Sequence, residues 1–448
     1  MRRALFIIDG EHYMPVVRQA IDAIEERENL EAVAAVFLGS AEKIGGAEAV
    51  ASLDLPVLRD REALQMVCEA IERFSPEVVV DLSDAPAMEE RLRMEVAAEC
   101  LARGLTYIGA DFRFSAEPPV TVRRPALSVF SLTKRCGKTA LCTYIATLLQ
   151  EMGETPIIFT MSRGGPPEPT VVKAGTKLTP DTLVAIADKG LHAAADHYEN
   201  ALFSGVTTIG SRRAGGGFSG RPFFTNLHAA IKTASRMKAT WYLFEGSGTD
   251  APPVEPTGKV VLISAGTEPA TLLTPFNRVR VRVADVAVLV HAEPPHTTPT
   301  RLQELKKCLQ TINPEVVVCA CVLRPFLPQP PKEGSRVAVT TTTPEAVHDR
   351  LRSELQNRYK LNVVGISGAL ANRSLLSSDV RRFIKEGVDA FITELKAASV
   401  EVVIRSAISR KIPVHFLQNR PVSLPEWEPS LRSALQRLVR KVKEQKRR

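Results

Sequence analysis

Short apolar runs alternate along the chain with stretches whose apolar residues recur every three or four positions. The runs "ALFIID" (4–9), "AVAAVFLG" (32–39), "VVVDLSD" (78–84) and "LTYIGAD" (105–111) predict buried strands, and the stretches near 15–27, 61–74 and 86–103 predict helices. Strands alternating with helices of this length imply parallel α/β structure. Polar turns follow the strands at Asp9-Gly10, Gly39-Ser40 and Ser83-Asp84. In an open α/β sheet that edge, beyond the carboxyl ends of the strands, is where ligands bind. The segment "FRFSAEPPVTVRRP" (112–125) holds three prolines and no periodicity, as a linker does. From Ala126 the alternation resumes, with strands expected at 126–130, 156–161, 239–244, 259–264, 285–291, 315–323, 336–340, 362–366, 400–404 and 413–417. The expected organisation is an N-terminal Rossmann-like domain over 1–111, a linker over 112–125 and a larger α/β domain over 126–448.

The second domain opens with "ALSVFSLTKRCGKTALCTYIATLL" (126–149), an apolar run, a polar turn ending in Gly-Lys-Thr and a helical pattern. A turn of this kind points backbone N–H groups and a helix N-terminus at a phosphate. Lys138 would reach the β- and γ-phosphates of a nucleotide, and the Thr139 hydroxyl would ligate Mg²⁺. The departure is Leu132, where a short phosphate loop has glycine. About a hundred residues later "ATWYLFEGSGT" (239–249) carries an apolar strand ending in Glu245, with Gly246 and Gly248 after it. A carboxylate at the tip of a strand beside a phosphate loop supplies a second protein oxygen to Mg²⁺. The larger domain is therefore expected to be a P-loop NTPase α/β domain.

Loop and strand end together resemble the branch of P-loop proteins that includes dethiobiotin synthetase, whose longer loop reads G-T-x-x-x-x-G-K-T. Laid on that loop, Ser131 takes the place of the first glycine, and Thr133, Lys134, Arg135, Cys136 and Gly137 lead to Lys138 and Thr139 as the ATP-binding set. A wider set of motifs, "DGEHYMPVV" (9–17), "KRCGKTA", "SRGGPPEP" (162–169), "TTIGSRRAGGGFSGRP" (207–222) and "LFEGSG", is similar to the cyclic 2,3-diphosphoglycerate synthetase family, in order along both halves of the chain. The resemblance implies conversion of ATP and 2,3-diphosphoglycerate to the cyclic diphosphate, ADP and phosphate with Mg²⁺, and a homodimer.

The residues point independently to an anionic second ligand. "GSRRAGGGFSGR" places Arg212, Arg213 and Arg221 around Gly215, Gly216 and Gly217. Glycines let a backbone approach a ligand, and guanidinium groups grip phosphate oxygens in pairs. A flexible basic surface loop reads the same way. Arg163, beside Gly164 and Gly165, would join the cluster. Asp9, Glu11 and His12, past the first strand, face the crevice either as ligands of a substrate or, for Asp9, as the cap of the next helix. Closing a cyclic phosphoanhydride requires that one phosphate first be activated. Lys138, Lys134 and Arg213 are the expected catalytic cations, with Thr139 and Glu245 on the metal.

Composition narrows the remaining classes. The net charge is +8, and "RLVRKVKEQKRR" (437–448) alone carries a balance of +6. No aromatic residues interleave with these charges, so nucleic acid is not an expected partner and a solvated helix end is. No apolar run approaches a membrane span, and the N-terminus reads as a strand rather than a signal peptide. The seven cysteines are scattered without a C-x-x-C pair, as in a reduced cytoplasmic protein. ATP against GTP stays open: "ALANRS" (369–374) and "LQNRP" (417–421) are candidate base contacts or plain turns. For a third Mg²⁺ contact the candidates are Glu168 and Asp181. Two other classes compete, a dethiobiotin-synthetase-like phosphoryl transferase or ligase acting on another anionic metabolite and a non-catalytic ATP switch. Against the switch, its signature lysine position is held here by Thr133.

Overall fold

A computed structural model describes residues 1–39, 52–115, 117–255 and 258–447. Ser40 of the second strand-end turn, Ala116 of the Pro-rich segment and Arg448 of the basic tail lie outside the described residues. The chain divides into two compact units, Met1–Pro119 with Leu273–Val283, and Val120–Leu272 with Ala284–Arg448.

In the first unit the four runs read as strands pair together with two short strands that the pattern does not mark, 57–58 and 113–114, in the order 57–58, 30–38, 2–9, 78–81, 106–108 and 113–114. All neighbours are parallel except the last pair. The strand Arg2–Asp9 is central and buried from Ala4 onward, so its side chains are apolar on both faces. The helix Pro275–Arg282 comes from far along the sequence yet belongs to this unit. It lies against the helix Glu90–Ala102, where the buried Glu99 pairs with both Arg103 and Arg282. Two guanidinium groups offset the cost of burying one carboxylate. Nothing in local periodicity announces such a return, because one element's partner is not written in its own pattern.

The second unit is built on a ten-stranded sheet. Its core is parallel, in the order 207–214, 156–162, 241–245, 126–131, 258–264, 286–290 and 317–326, with antiparallel strands 170–172 and 418–423 at the edges. Strand Ala126–Ser131 sits between Trp241–Glu245 and Gly258–Ser264, and all six of its residues are buried. A second, wholly parallel sheet of four strands follows, ordered 362–367, 336–340, 390–393 and 414–416. Both units are thus parallel α/β structures. The segment read as a linker carries two short strands, Arg113–Phe114 and Val120–Thr121, the latter paired with Val254–Glu255.

One expected strand is a helix. "VEVVI", read as extended over 400–404, lies in the helical turn Ser399–Ile404. Its β-branched residues favour a strand locally, but Val400, Val403 and Ile404 fall at helical spacing and all three are buried. Burial of one helical face outweighs the small propensity differences. The strand next to it is Ala390–Thr393, which was not singled out from sequence.

The basic tail is the helix Leu431–Arg447, and it is part of the core. Leu435, Leu438 and Val442 join the cluster formed by Leu127, Val260 and Val288. Arg432, Lys441 and Lys443 pair with Glu151, Asp285 and Glu154. The charge therefore decorates the outside of a docked helix. Among the described residues no helix is long and apolar enough to cross a membrane. Leu435→Ala should lower the unfolding free energy by about 2–5 kcal/mol, the cost of truncating a buried leucine. Arg440→Gln, on the exposed face, should change it by less than about 0.5 kcal/mol. Urea denaturation of both variants checks whether the tail is core or appendage.

Candidate nucleotide and substrate site

The phosphate loop grows out of the central strand. Ser131 ends that strand fully buried, and Leu132 is still held to the neighbouring strand by its N–H to Leu262 O at 3.1 Å, its side chain in the core. Neither residue has a positive φ; the left-handed positions are Arg135 (φ 62°) and Gly137 (φ 72°). The missing glycine therefore costs the loop nothing, since no left-handed turn falls at Ser131 or Leu132. Within the loop Thr133 Oγ1 lies 2.8 Å from Cys136 Sγ. Gly137 precedes the helix Lys138–Glu151, and no side chain caps that helix N-terminus. Its first N–H groups are left to face a ligand.

Lys138 folds over the loop, its Nζ donating to Gly248 O at 2.8 Å and to Ser131 Oγ at 3.0 Å. Gly248 has a left-handed backbone (φ 63°), which favours glycine where this carbonyl is presented. Thr139 Oγ1 donates to Glu245 Oε1 at 2.7 Å, and Asn200 Nδ2 donates to Glu245 Oε2 at 2.6 Å. Burial, and next the charge of Asp196, push the Glu245 carboxyl up to about 8. A buried carboxylate beside a second one is a site short of positive charge, and a divalent cation supplies it. Hydroxyl and carboxylate oxygens are the donors Mg²⁺ takes. Among the described residues no cluster of three or more His, Cys, Asp or Glu side chains could hold a metal ion. The Thr139 hydroxyl and the Glu245 carboxylate are the donors that would fit an ion taking its other ligands from phosphate and water.

These groups open into one cavity of about 750 Å³. Lys134, Arg135, Lys138 and Arg163 line it from the P-loop sheet, and Thr342, Glu394 and Lys396 line it from the four-stranded sheet. Arg324, Pro325, Leu417, Gln418 and Asn419 also line it. Of the two candidate base-contact segments, "LQNRP" reaches the cavity and "ALANRS" does not.

The Gly/Arg motif is placed differently from expectation. Arg212 and Arg213 lie on the strand Thr207–Ala214, not in a loop. Arg213 is buried, with Nη1 2.8 Å from Asp250 Oδ2 and Nη2 donating to Ser247 O at 2.8 Å. Arg212 Nε donates to Gly165 O and Pro166 O at 3.1 and 2.9 Å. Both guanidinium groups brace neighbouring turns, and neither they nor Gly215, Gly216 and Gly217 line the cavity. The sequence pattern is satisfied by packing: Arg213 needs Asp250, 37 residues away, and that pairing has no local signature. Asp9 is fully buried and accepts from the N–H groups of Glu11, His12 and Asp84 and from His12 Nδ1. It organises its own turn, and Asp9, Glu11 and His12 do not line the cavity. Glu168 and Asp181 do not either, whereas Asp196 does. Asp196 and Asn200, in "DHYEN", belong to no motif, and only the packing of their helix against the loop helix reveals them.

A parallel sheet with a phosphate loop between two strands, a lysine and threonine opening the next helix and a carboxylate on the adjacent strand end define a P-loop nucleotide-binding protein. Residues 3–115, 126–322 and 330–420 match the N-terminal, P-loop and C-terminal domains of cyclic 2,3-diphosphoglycerate synthetase. A protein of that name from Rubrobacter xylanophilus is 40% identical, over 98% of this chain and 97% of its own length. Those from Methanothermobacter thermautotrophicus and Methanothermus fervidus are 36% and 33% identical, over 93% and 98% of this chain and 91% and 97% of their own lengths. The chain belongs to the cyclic 2,3-diphosphoglycerate synthetase family.

Because Arg213 forms a buried ion pair with Asp250, Arg213→Met should break that pair and cost about 3–5 kcal/mol of stability. Chemical denaturation measures this, and an unchanged midpoint with a raised substrate KM would restore Arg213 to a ligand role.

Proposed function

We propose that this chain couples ATP hydrolysis to ring closure of 2,3-diphosphoglycerate, releasing ADP and phosphate. The observation that carries this reading is a cavity of about 750 Å³ lined by the phosphate loop, with Lys134, Arg135 and Arg163 on its wall beside Lys138, in a chain similar over nearly its whole length to proteins of that name. The loop N–H groups and Lys138 hold the ATP phosphates. Thr139 and Glu245 would hold Mg²⁺, which would offset negative charge on the transferring phosphoryl group. Asn200 fixes the rotamer of Glu245 through its second oxygen.

An oxygen of one substrate phosphate attacks the γ-phosphorus, and the bond to ADP breaks. The other substrate phosphate then attacks the phosphorus so activated, closing the ring and expelling inorganic phosphate. No enzyme nucleophile enters, and catalysis rests on positioning and charge neutralisation. Lys134, Arg135 and Arg163, exposed along the cavity wall, supply that charge. A homodimer is the assembly the family resemblance favours, and size-exclusion chromatography with light scattering measures it directly.

Lys138→Ala should remove turnover, and survival of ATP-dependent ring closure in that variant would refute the loop assignment. Glu245→Gln should raise the Mg²⁺ concentration needed for half-maximal rate; an unchanged requirement would remove Glu245 from the metal. With the substrate phosphate oxygens labelled, the released phosphate should carry one labelled oxygen. Phosphate carrying none would eliminate the two-step route.

A further inference from the structure

The two parallel sheets of the second unit turn the same edge toward the cavity. The P-loop sheet ends there at Ser162 and Glu245, and the four-stranded sheet continues from Thr340 and Thr393 into the lining residues Thr342 and Glu394. The carboxyl ends of parallel strands are where such sheets bind ligands. The smaller sheet therefore presents a binding edge that neither the phosphate loop nor the metal oxygens use.

Two cations line the cavity from this side, Arg350, which pairs with Glu293, and Lys396. Lys396 comes three residues after the strand Ala390–Thr393, and both sides of its backbone are pinned. Before it, the Glu394 carboxylate accepts from Thr341 Oγ1 at 2.8 Å, Thr342 Oγ1 at 2.7 Å, Thr342 N at 3.0 Å and Asn419 Nδ2 at 3.2 Å, and Leu395 is wholly in the core. After it, Ser399 Oγ accepts from Lys396 N at 2.9 Å and donates to Lys396 O at 2.7 Å. The ammonium reaches across to the P-loop sheet's helix Asp196–Ser204, where Nζ lies 2.9 Å from Glu199 Oε2. That helix also carries Asn200, which holds Glu245, so Lys396 is tied to the element that holds the metal carboxylate, while Asn419 meets Glu394 two residues before it.

The charge balance here is uneven. Asp196, Glu199 and Glu394 surround Lys396 and keep it protonated. Burial pushes the Glu199 carboxyl up in spite of its cation. Arg212 and Arg213, the cations sequence reasoning gave to the substrate, are committed to backbone carbonyls and to Asp250. A compact ammonium with three donors can keep its bond to Glu199 and still give the others to phosphate oxygens.

On the functional reading above, we propose that Lys396 binds a phosphate of the bisphosphorylated substrate, with Glu199 holding the ammonium in place when that phosphate is absent. The acceptor substrate then rests on the C-terminal sheet while ATP rests on the phosphate loop. Alignment of the acceptor oxygen with the γ-phosphorus follows from the packing of the two sheets.

The test is steady-state kinetics with each substrate varied in turn, together with thermal shifts by 2,3-diphosphoglycerate and by ATP with Mg²⁺. Lys396→Met should raise the KM for the bisphosphate at least tenfold and abolish its thermal shift, while the KM for ATP changes less than twofold. Lys396→Arg should recover part of the bisphosphate affinity. Because Lys396→Met leaves Glu199 without its cation, Lys396→Met/Glu199→Gln is measured beside it, and the same bisphosphate defect is expected in a fully folded protein. An unchanged bisphosphate KM in either methionine variant, or equal defects toward both substrates with a lowered melting temperature, would reduce Lys396 to a structural tie. If the unsubstituted chain shows neither turnover nor a thermal shift with the bisphosphate, the functional reading itself is overturned, and this assignment with it.

Discussion

The hydrogen bonds that Thr139 and Asn200 give to Glu245 hold the site together. A carboxylate at this depth is costly to keep charged, and its neighbour Asp196 makes it costlier. Thr139 ties Glu245 to the first turn of the loop helix, and Asn200 ties it to a second helix, so three elements converge on two oxygens. The phosphate loop, the strand end and the helix that meets Lys396 therefore keep a common geometry. Such a cluster is stable when its charge is compensated, which is the condition a nucleotide with its metal ion would create.

Around this centre the chain separates cations that brace from cations that remain available. Arg213 is sealed against Asp250, and Arg212 spans the turn at Gly165 and Pro166. These contacts hold the walls. Lys134, Arg135 and Arg163 stay at the cavity surface with their charge facing open space. Arg135 does so with a left-handed backbone, a conformation that costs a non-glycine residue about 1–2 kcal/mol. A loop with glycine there would be less strained and less charged.

The smaller parallel sheet gives the cavity its second wall. In a lone P-loop sheet the ligand edge faces solvent, and a second substrate is held by loops. Here another set of strand ends borders the same space, so that Thr342, Thr343, Pro344, Glu394 and Lys396 line it together with the phosphate loop. Rigid strand ends place side chains more accurately than loops do. This suits a reaction whose acceptor must meet a phosphorus atom in line.

Local pattern carried much of this architecture. Apolar runs of strand length separated by amphipathic stretches are legible because burial on both faces of a parallel sheet demands uninterrupted hydrophobic residues, and such runs marked most of the long strands. The phosphate loop and Glu245 were legible for a related reason: a nucleotide's phosphates and metal impose fixed residue types at fixed short spacing. What tertiary structure alone decided are the relations between distant residues. Val400, Val403 and Ile404 are helical because of what they pack against. Arg213 is a brace because Asp250 folds onto it. Asp196, Asn200 and Lys396 belong to the site because two sheets and a helix bring them to one cavity. Sequence records spacing along the chain, whereas charge compensation and burial depend on spacing in the folded molecule.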